Sequence, residues 1–575
     1  MAIARAFGAR VTDWIDEPRA DHGIRFYQGE GTWQRFGYPE LADRVRGAAA
    51  RFQEAGVAPG EVVPVVLPTG PELVAAFYGL LLSGAVPSVL PLPWALSGHA
   101  PYAPYLTDLA AYRTPRFVAA SEEYAPEVMA GARAAGLDVV NLAPGARTAQ
   151  RVRRMAPQGP AVLQFTSGSR GRPRAVAVGP EALRTHVRML GSVLPDTGWG
   201  GVSWLPMYHD MGLVGNLLVP VTAQWEHALM RPESFVMEPA AWLGEYGRNP
   251  YPIMTMPNFG FARVCSNVRP DSLAGLDFSR VRAVLTGAER VDPAVLARFS
   301  RFLEPYGFDH TTVLPCYGMA ETTLAVTAGP AAGLRPVMAK VPAGAKAVGQ
   351  PVRVGAEHPL GLDEPVNPWL WYASCGRPLE GIEVRVTDRD GHELPEGALG
   401  EIRVASPSLG QGYTVPEAAG STRWADGVLH TGDAGFVRGG ELYVVGRLGD
   451  ALDLEHGSVF MEELEAQLAG RIGVRPHRLM ATGGADPGPT LLVLTTFDPV
   501  PHLPVIEAVA ESFTHGRAAL KVVRVGRPDM PVTTSGKPRR STAWIRHLKG
   551  EFGKAEVFSP GERTATVPHR RNPGA

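Results

Sequence analysis

The sequence predicts an α/β protein with a large N-terminal domain of mostly parallel sheets, a barrel-like antiparallel subdomain and a small α+β C-terminal domain. Three observations predict this fold class. Helix-period and strand-period segments alternate over the first two-thirds of the chain, short alternating strands follow, and a new pattern begins near residue 451. A chain of 575 residues also exceeds one ordinary domain.

The alternation in the first part of the chain indicates parallel strands joined by helices. The leading segments are a helix at 38–56, a strand at 61–67, a helix at 72–84 and a strand at 85–90. Later strands at 161–165, 202–205 and 281–285 each run into a polar or glycine-rich turn. Ligands of parallel sheets collect at the carboxyl ends of strands, so these three turns are where a binding site is expected.

The second part of the chain changes texture twice. Residues 330–370 are rich in Pro, Gly and Ala and have little periodicity, which fits either an inserted surface segment or a long connection. Short strands at 381–387, 400–404 and 441–445 then predict the antiparallel subdomain. The domain boundaries that we expect are 1–446, 451–555 and a disordered tail at 556–575 that is rich in Pro, Gly and charge.

Composition excludes several functional classes. The net charge is −1, with 56 basic and 57 acidic residues interspersed, so nothing favours nucleic acid as a partner. Three cysteines without CxxC spacing argue against a disulfide framework or a structural zinc site and fit a reducing cytoplasm. We expect no signal peptide and no membrane span, because no apolar run approaches the ~20 residues of a transmembrane helix.

A polar turn at 166–174 has the residue types that bind polyphosphate. Hydroxyl groups can donate hydrogen bonds, glycines let backbone N–H groups approach, and guanidinium groups supply positive charge. In chain order the turn reads Thr166, Ser167, Gly168, Ser169, Arg170, Gly171, Arg172, Pro173 and Arg174. The spacing is not that of a Walker A loop. Taken alone, such a turn is more often an ordinary loop.

Six further segments accompany this turn along the chain. They are VSWLPMYHDMG at 202–212, RAVLTGAE at 282–289, YGMAETT at 317–323, the pair TGD at 431–433 and GRLGD at 446–450, and TSGK at 534–537. Together, and in this order, they resemble the adenylate-forming superfamily of acyl-CoA synthetases, luciferases and peptide-synthetase adenylation domains. The resemblance runs from about residue 30 to about 545. The segments LQFTSGS, WLPMYHDMGL and MPNF are most similar to the fatty acyl-AMP ligase branch.

This resemblance implies a two-step reaction that uses ATP and Mg²⁺. A carboxylic acid, fatty or related, would become acyl-AMP, and its acyl group would pass to the phosphopantetheine thiol of an acyl carrier protein. An acyl-CoA synthetase, an enzyme with an amine acceptor and a catalytically silent paralogue are the alternatives. Because carrier protein and CoA both end in phosphopantetheine, the motif residues do not separate them.

The resemblance also implies roles at the nucleotide. Tyr317 would stack on adenine, with the backbone of Gly287 and Ala288 along the other face of the base. Asp433 would accept the ribose hydroxyls, and Arg447 would reach ribose or phosphate. The other implied nucleotide-binding positions are Thr166, Ser167, Gly168, Ser169, Arg170, Gly171, Arg174, Glu289, Gly318, Met319, Ala320 and Thr322.

At the metal and the acid, the resemblance implies a second set of roles. Glu321 would hold Mg²⁺ together with Thr166. His209 would guide the carboxylate, although a structural pair between His209 and Asp210 is the alternative. Candidates for the acyl pocket are Met207, Asp210, Met256 and Phe259, with Met211 and Phe261. For each apolar candidate, plain core packing is the competing explanation.

Lys537 is the implied catalytic lysine, since a flexible ammonium group can meet both the carboxylate and the α-phosphate. To bring it in, the small domain would swing about a hinge at 447–450, which the resemblance places at Asp450. The chain departs from the family pattern at Arg170 and Arg174, which stand for Thr and Lys, and at Gly449, which stands for Lys. These departures concern the phosphate contacts and the second half-reaction.

Overall fold

A computed structural model describes residues 10–92, 102–121, 132, 136–142, 152–166, 173–329, 336–415, 422–485, 487–533, 537–552 and 557–558. Within these ranges, no helix is both long enough and apolar enough to cross a membrane. The side chains of the core are mainly aliphatic and aromatic, and the largest fully buried ones include Trp242, Tyr38 and Tyr78.

The centre of the fold is a seven-stranded sheet. From one edge to the other, its strands are Val313–Pro315, Ala283–Thr286, Ile253–Thr255, Trp199–Ser203, Glu226–Leu229, Gly23–Gly29 and Thr32–Gly37. All neighbours pair in parallel except the last two, which are antiparallel. Because parallel strands end at the same edge of a sheet, the turns after the first four strands meet there. Two of the three turns singled out in the sequence follow strands of this sheet.

A second sheet is wholly parallel and carries a hairpin beside it. Its strands are Val86–Val89, Val62–Val66, Phe117–Ala120 and Asp138–Asn141. The hairpin pairs Val162–Thr166 with Arg174–Val178, and Ser88 Oγ donates to Leu163 O at 2.9 Å. The third turn singled out in the sequence is therefore the tip of a hairpin rather than the end of a parallel strand.

Helices cover the two parallel sheets. They are Tyr38–Glu54, Pro71–Leu82, Ala103–Tyr112, Pro180–Val193, Val219–Thr222, Pro232–Met237, Pro239–Arg248, Asn258–Asn267 and Pro293–Leu303, with a π-helix at Met211–Leu218. The first two helices pack closely at Gly79, where an added Cβ would lie only 3.0 Å from Ala48. The missing side chain of glycine permits this approach. The sequence pattern also predicts a helix at 122–136, which lies almost entirely outside the described residues. Single 3₁₀ turns lie at Asp13–Ile15, Pro270–Leu273, Glu304–Tyr306, His310–Thr312, Ala320–Thr322, Pro368–Leu370, Leu448–Asp450, Pro476–Arg478, Val500–His502 and Arg527–Asp529.

The antiparallel subdomain is a five-stranded sheet. Its strands are Glu383–Thr387, Gly400–Ala405, Val428–Arg438, Arg423–Ala425 and Glu441–Arg447. In the part of the chain that the structure describes, these strands form an open sheet and do not close into a barrel. A small sheet of Tyr317–Gly318, Ala325–Ala328 and Arg377–Pro378 joins this subdomain to the YGMAETT turn.

The Pro/Gly-rich stretch at 330–370 is more ordered than its lack of periodicity indicates. Val337–Lys340 pairs with Ala356–Pro359 and with Trp371–Ala373 in a three-stranded antiparallel sheet. Ala339 and Tyr372 are fully or almost fully buried in a core shared with the antiparallel subdomain. Short strands of three or four residues give too few alternations for a sequence pattern to detect, and long-range pairing stabilises them here.

The chain after residue 451 builds sheets of its own. Leu452–Leu454 pairs with Gly457–Val459, and a four-stranded sheet has the order Leu479–Ala485, Pro489–Thr495, Ala519–Arg524 and Val557–Phe558. The helices of this region are Met461–Ile472, Leu503–Thr514 and Arg540–Leu548. The strand Val557–Phe558 lies in the segment predicted to be a disordered tail. It pairs with a preceding strand instead.

Candidate active site

A cavity of about 1760 Å³ lies at the carboxyl ends of the central strands and extends to the C-terminal region. Its lining brings together most of the residues singled out in the sequence. These are Thr166, Arg174, Met207, His209, Asp210, Phe259, Gly287, Ala288, Glu289, Tyr317, Gly318, Met319, Ala320, Glu321, Asp433, Arg447, Asp450 and Lys537. Thr166 and Lys537, which are 371 positions apart in sequence, thus share one space.

The polar turn at 166–174 is described at its two ends. Thr166 pairs with Arg174 as the last pair of the hairpin, and both side chains line the cavity. Ser167, Gly168, Ser169, Arg170, Gly171 and Arg172 lie outside the described residues. Thr166 Oγ1 is buried and has no hydrogen-bond partner among the described residues. A buried hydroxyl without a partner is costly, so this atom is one that a bound group would satisfy.

Tyr317, Asp433 and Arg447 form a connected group on one wall. Tyr317 Oη donates to Asp433 Oδ2 at 2.7 Å, and Arg447 Nε donates to Asp433 Oδ1 at 3.0 Å. Asp433 faces Arg447 across paired strands, which fixes this contact through the backbone. Burial and the charge of Asp433 raise the pKa of Tyr317 well above its ordinary value. A carboxylate has about four acceptor positions, so Asp433 can still accept further hydroxyl groups.

Glu321 and Arg174 are linked through Tyr413. The Tyr413 hydroxyl donates to Glu321 Oε1, and Arg174 Nη2 donates to the same hydroxyl at 3.2 Å. The Arg174 guanidinium also lies 4.0 Å from the centre of the Tyr413 ring. Glu321 is buried, with 5% of its surface exposed. The sequence reasoning missed Tyr413, whose signal was an aromatic residue in the glycine-rich stretch LGQGYT.

His209 and Asp210 stand where the central strand leads into the π-helix Met211–Leu218. π-Helical turns are rare overall, and those that occur are often found at functional sites. Asp210 Oδ1 accepts from Met211 N at 2.8 Å. His209 Nε2 is buried and has no partner in the part of the chain that the structure describes. Burial, with the nearby charge of Lys537, lowers the pKa of His209 to about 3, so the imidazole is neutral at physiological pH. Burial raises the pKa of Asp210 to about 6.

Lys537 reaches the cavity from the C-terminal region. Thr533 N donates to Lys537 O at 2.8 Å and Lys537 N donates to Thr533 Oγ1 at 3.0 Å, which fixes the backbone around the lysine. The side chain has accessible surface inside the cavity but is surrounded by protein. This enclosure lowers its pKa, whereas the negative charges of Asp210 and Glu289 raise it. Among the described residues, Lys537 Nζ makes no hydrogen bond or ion pair.

A second ionic group lies at the proposed hinge. Arg540 Nη1 lies 3.3 Å from Asp450 Oδ2 and 2.9 Å from Glu462 Oε1, and Arg540 Nη2 lies 2.7 Å from Glu465 Oε2. Arg540 is 6% exposed. Burial and the charge of Glu462 raise the pKa of Asp450. The sequence reasoning missed Arg540, because its partners are 75 to 90 residues away along the chain.

Three of the described candidate residues, Met256, Phe261 and Thr322, do not line the cavity. Phe261 is fully buried in the core, so its assignment to the acyl pocket was wrong. Met256 is fully buried in the core, where a Cβ on Gly260 would lie 2.7 Å from its sulfur. Its assignment to the acyl pocket was wrong, because a residue directly after the strand Ile253–Thr255 faces the core here. Thr322 is fully buried and donates to Met319 O at 2.9 Å, so its hydroxyl closes the local turn instead of contacting a nucleotide.

The backbone at the end of the strand Ala283–Thr286 is aimed at the cavity. Ala288 has a φ of +67°, an unusual conformation for a residue with a Cβ. Glu289 Oε1 accepts from Asn258 N at 2.8 Å, which ties this turn to the helix Asn258–Asn267. Gly287 and Ala288 of this turn line the same cavity as Tyr317. A planar base could lie there, as the sequence predicts.

The chemistry of the lining fits a nucleotide triphosphate and a carboxylic acid. The cations Arg174, Arg447 and Lys537 surround the space, which suits a polyanion. Glu321 and Thr166 add oxygen ligands of the kind that Mg²⁺ prefers. Beyond these polar groups, Leu190 and Leu194 belong to an apolar part of the same cavity.

Comparison with known proteins gives a consistent result. A sequence model of the AMP-binding enzyme family matches residues 16–414. A 4-hydroxyphenylalkanoate adenylyltransferase of Mycobacterium tuberculosis is 32% identical over 87% of this chain and 84% of the relative. The long-chain-fatty-acid–AMP ligase FadD26 of Mycobacterium bovis is 28% identical over 87% and 89%. A structure from a study of fatty acyl-adenylate ligases of E. coli and L. pneumophila superposes with a TM-score of 0.80, at 26% identity, over 96% and 99% of the two chains.

Proposed function

The chain belongs to the AMP-binding enzyme family and is an adenylate-forming enzyme, and from this premise we propose that it converts a fatty or related acid to acyl-AMP and passes the acyl group to the phosphopantetheine thiol of an acyl carrier protein. Activation of a carboxylic acid with ATP follows from the family. The observation that supports our assignment of the machinery is that Lys537 lines the same cavity as Glu321 and Asp433.

In the first step, a carboxylate oxygen bonds to the α-phosphorus of ATP, and the bond from that phosphorus to the pyrophosphate oxygen breaks. Catalysis of such a transfer consists mainly of positioning and of neutralising spread negative charge. Lys537 would contact both the carboxylate and the α-phosphate. The neutral imidazole of His209 can donate or accept a hydrogen bond at the acid without adding charge.

We assign the binding of the nucleotide to the large domain. Tyr317 and the turn at Gly287 and Ala288 would enclose the base. Asp433, already oriented by Tyr317 and Arg447, would accept the ribose hydroxyls. Glu321 and Thr166 would hold Mg²⁺, which neutralises phosphate charge when bound. Their fit rests on the buried, partnerless Thr166 Oγ1 and on the carboxylate of Glu321, one oxygen of which accepts from Tyr413.

The domain boundaries that we propose are 1–446 for the large domain, 447–450 for the hinge and 451–555 for the small domain. For the acid, the apolar part of the cavity supports a substrate with an apolar chain. The names of the relatives point to hydroxyphenylalkanoates and long-chain fatty acids as acids of two related kinds.

Contacts of the 336–371 segment support the choice of a carrier protein as acceptor. Lys346 and Ser458 exchange two backbone hydrogen bonds of 2.9 Å, and Lys346 Nζ pairs with the fully buried Glu463. A Cβ on Gly470 would lie 2.3 Å from the ring of Trp369, so the segment also packs tightly on the helix Met461–Ile472. We call these contacts the tether, because they join the large domain to the small one.

A tether of this kind would oppose the rotation that removes Lys537 and admits a thiol. A carrier protein can offset this cost with binding energy from its own surface, whereas a free thiol such as CoA has less surface to contribute. The tether therefore favours a protein-bound thiol over a free one.

The proposal is tested by supplying acyl-AMP formed in place with either holo-carrier protein or CoA and following thioester formation by mass spectrometry. We expect the carrier to be acylated about tenfold or more efficiently than CoA. The double variant Lys346→Met/Glu463→Met, which leaves no buried charge alone, should gain activity with CoA. Arg438→Met/Glu357→Met, which removes an ion pair within the large domain, is its control.

Equal efficiency with CoA in the unmodified protein would make the chain an acyl-CoA synthetase. Acyl-AMP without any thioester would point to another acceptor, such as an amine.

A further inference from the structure

A small pocket on the C-terminal domain is lined by four basic residues. They are Arg475, His477 and Arg478, which follow the helix Met461–Ile472, and Arg527, which follows the strand Ala519–Arg524; Gly473 and Val474 complete the lining. We call this group the cationic pocket. Arg475, His477 and Arg527 also line the large cavity, so the cationic pocket adjoins the candidate active site.

The described residues contribute no acidic partner to the arginines of the cationic pocket. In the described part of the chain, Arg475, Arg478 and Arg527 form no ion pair. Arg478 donates weakly to Thr496 O at 3.4 Å and lies over the ring of Phe497. Burial lowers the pKa of His477, and the charges of Arg527, Arg475 and Arg478 lower it further.

Uncompensated guanidinium groups around a concave space are suited to a compact anion. Guanidinium forks match the oxygens of a phosphate group and can bind them through two hydrogen bonds. The roles assigned to the active site do not use these residues, since the nucleotide phosphates are allotted to Arg174, Arg447 and Lys537. The cationic pocket therefore lacks an anion of its own.

We propose that the cationic pocket binds the phosphate group of the phosphopantetheine arm that carries the acceptor thiol. This inference rests on the proposed function, in which such an arm is the acceptor. All four basic residues belong to the small domain, so the bound phosphate would move with that domain when it rotates. In the present arrangement, Arg475, His477 and Arg527 line both this pocket and the cavity, so a phosphate bound here would lie beside the candidate active site before the domain rotates.

Two small thiols isolate the contribution of the phosphate. Pantetheine and 4′-phosphopantetheine differ only by this group, and each can be offered to the full-length protein with ATP and an accepted acid. We expect thioester formation to have a kcat/KM about 10- to 100-fold higher for the phosphorylated thiol, and Arg475→Gln and Arg527→Gln each to reduce this ratio several-fold. Arg471→Gln removes a neighbouring charge outside the pocket and should leave the ratio near that of the unmodified protein.

Because the readout is a ratio between two thiols, a general loss of activity does not imitate the expected result. Equal use of pantetheine and phosphopantetheine would overturn the inference while leaving the proposed function intact. If holo-carrier protein and both small thiols all stay unacylated although acyl-AMP accumulates, both the proposed acceptor and this inference fail. Apo-carrier protein, which lacks the arm, is offered as a competitor. Competition that the two arginine variants weaken would assign the pocket to the carrier surface instead of the phosphate.

Discussion

The two halves of the candidate active site are held in place by different kinds of contact. In the large domain, Tyr317, Asp433 and Arg447 are joined by hydrogen bonds, and Glu321 is joined to Arg174 through Tyr413. The small domain contributes Lys537, whose ammonium group has no direct partner among the described residues. The nucleotide-binding half is held in place by contacts within the large domain. The position of Lys537 depends on the orientation of the small domain.

This difference teaches how one site can serve two steps. In our proposal, the groups that bind the nucleotide remain in position, whereas Lys537, the group that promotes adenylation, leaves with the small domain. The ionic group around Arg540 and the tether at Lys346 hold the small domain in the present arrangement. Variants of each half should therefore have separable effects.

Replacing the lysine should have the largest effect. Lys537→Ala removes the charge that meets the developing negative charge, so acyl-AMP formation should fall by about 10²- to 10³-fold or more. The dissociation constant of ATP should change little, because nucleotide contacts are assigned to the large domain. Single-turnover formation of acyl-AMP and equilibrium binding of ATP measure the two quantities. Lys549→Ala, an exposed lysine of the small domain outside the cavity, is the matched control. A comparable loss of ATP affinity would break the division between the two halves.

The fixed half is tested through Tyr413. Tyr413→Phe keeps the ring under Arg174 but removes the hydroxyl that orients Glu321. We expect the Mg²⁺ concentration for half-maximal adenylation to rise about 10- to 100-fold, as for other groups that orient a metal ligand. Tyr306→Phe also loses one hydroxyl hydrogen bond, far from the site, and should behave like the unmodified protein. An unchanged Mg²⁺ requirement in Tyr413→Phe would remove Glu321 from the metal site.

The proposed hinge at Asp450 is tested by measuring adenylation and thioester formation separately. Asp450→Pro fixes the backbone at the proposed pivot, so thioester formation should fall about tenfold or more while adenylation changes much less. Asp450→Asn weakens the pair with Arg540 without stiffening the backbone and serves as its control. Stopped reactions analysed for acyl-AMP and thioester give both rates from one experiment. Equal loss in the two steps would argue against a rotating domain.

The smallest expected effect concerns stability. Burial raises the pKa of Asp210 from 3.8 to about 6, so the folded state holds this proton more tightly than the unfolded state. Asp210 therefore contributes most to the free energy of unfolding below about pH 4. This contribution is lost as the pH rises through 6. Asp210→Asn avoids the buried charge and should be more stable than the unmodified protein by about 1–3 kcal/mol at pH 7.5, but not at pH 4. Denaturant unfolding at both pH values measures this. If the difference in unfolding free energy between the variant and the unmodified protein were the same at pH 4 and pH 7.5, ionising the Asp210 carboxyl would not be costly in the folded state.

The sequence predicted the parallel part of the fold well, because short apolar runs such as 61–67 and 281–285 are typical of buried parallel strands. The structure places these strands at Val62–Val66 and Ala283–Thr286. It predicted the 330–370 segment poorly, since strands of three or four residues carry too little periodicity. Met256 was misassigned because a motif position does not reveal which way a side chain points.

The sequence predicted the site residues that belong to recognisable motifs. It did not predict residues whose role depends on contacts between segments that are distant along the chain. Glu321, Asp433 and Lys537 lie together in the cavity, as expected from their motifs. The contact from Tyr413 to Glu321 spans 92 residues, and that from Arg540 to Asp450 spans 90. Neither partner lies on the same element, so no local spacing could indicate them.

The formation of acyl-AMP itself is the most direct test of acid adenylation. The unmodified protein would be incubated with ATP, Mg²⁺ and acids of different length and polarity, and products would be identified by mass spectrometry. The account predicts that at least one acid with an apolar chain yields its acyl-AMP together with an equal amount of pyrophosphate. Cleavage of ATP to ADP, or no acyl-AMP from any acid, would contradict it.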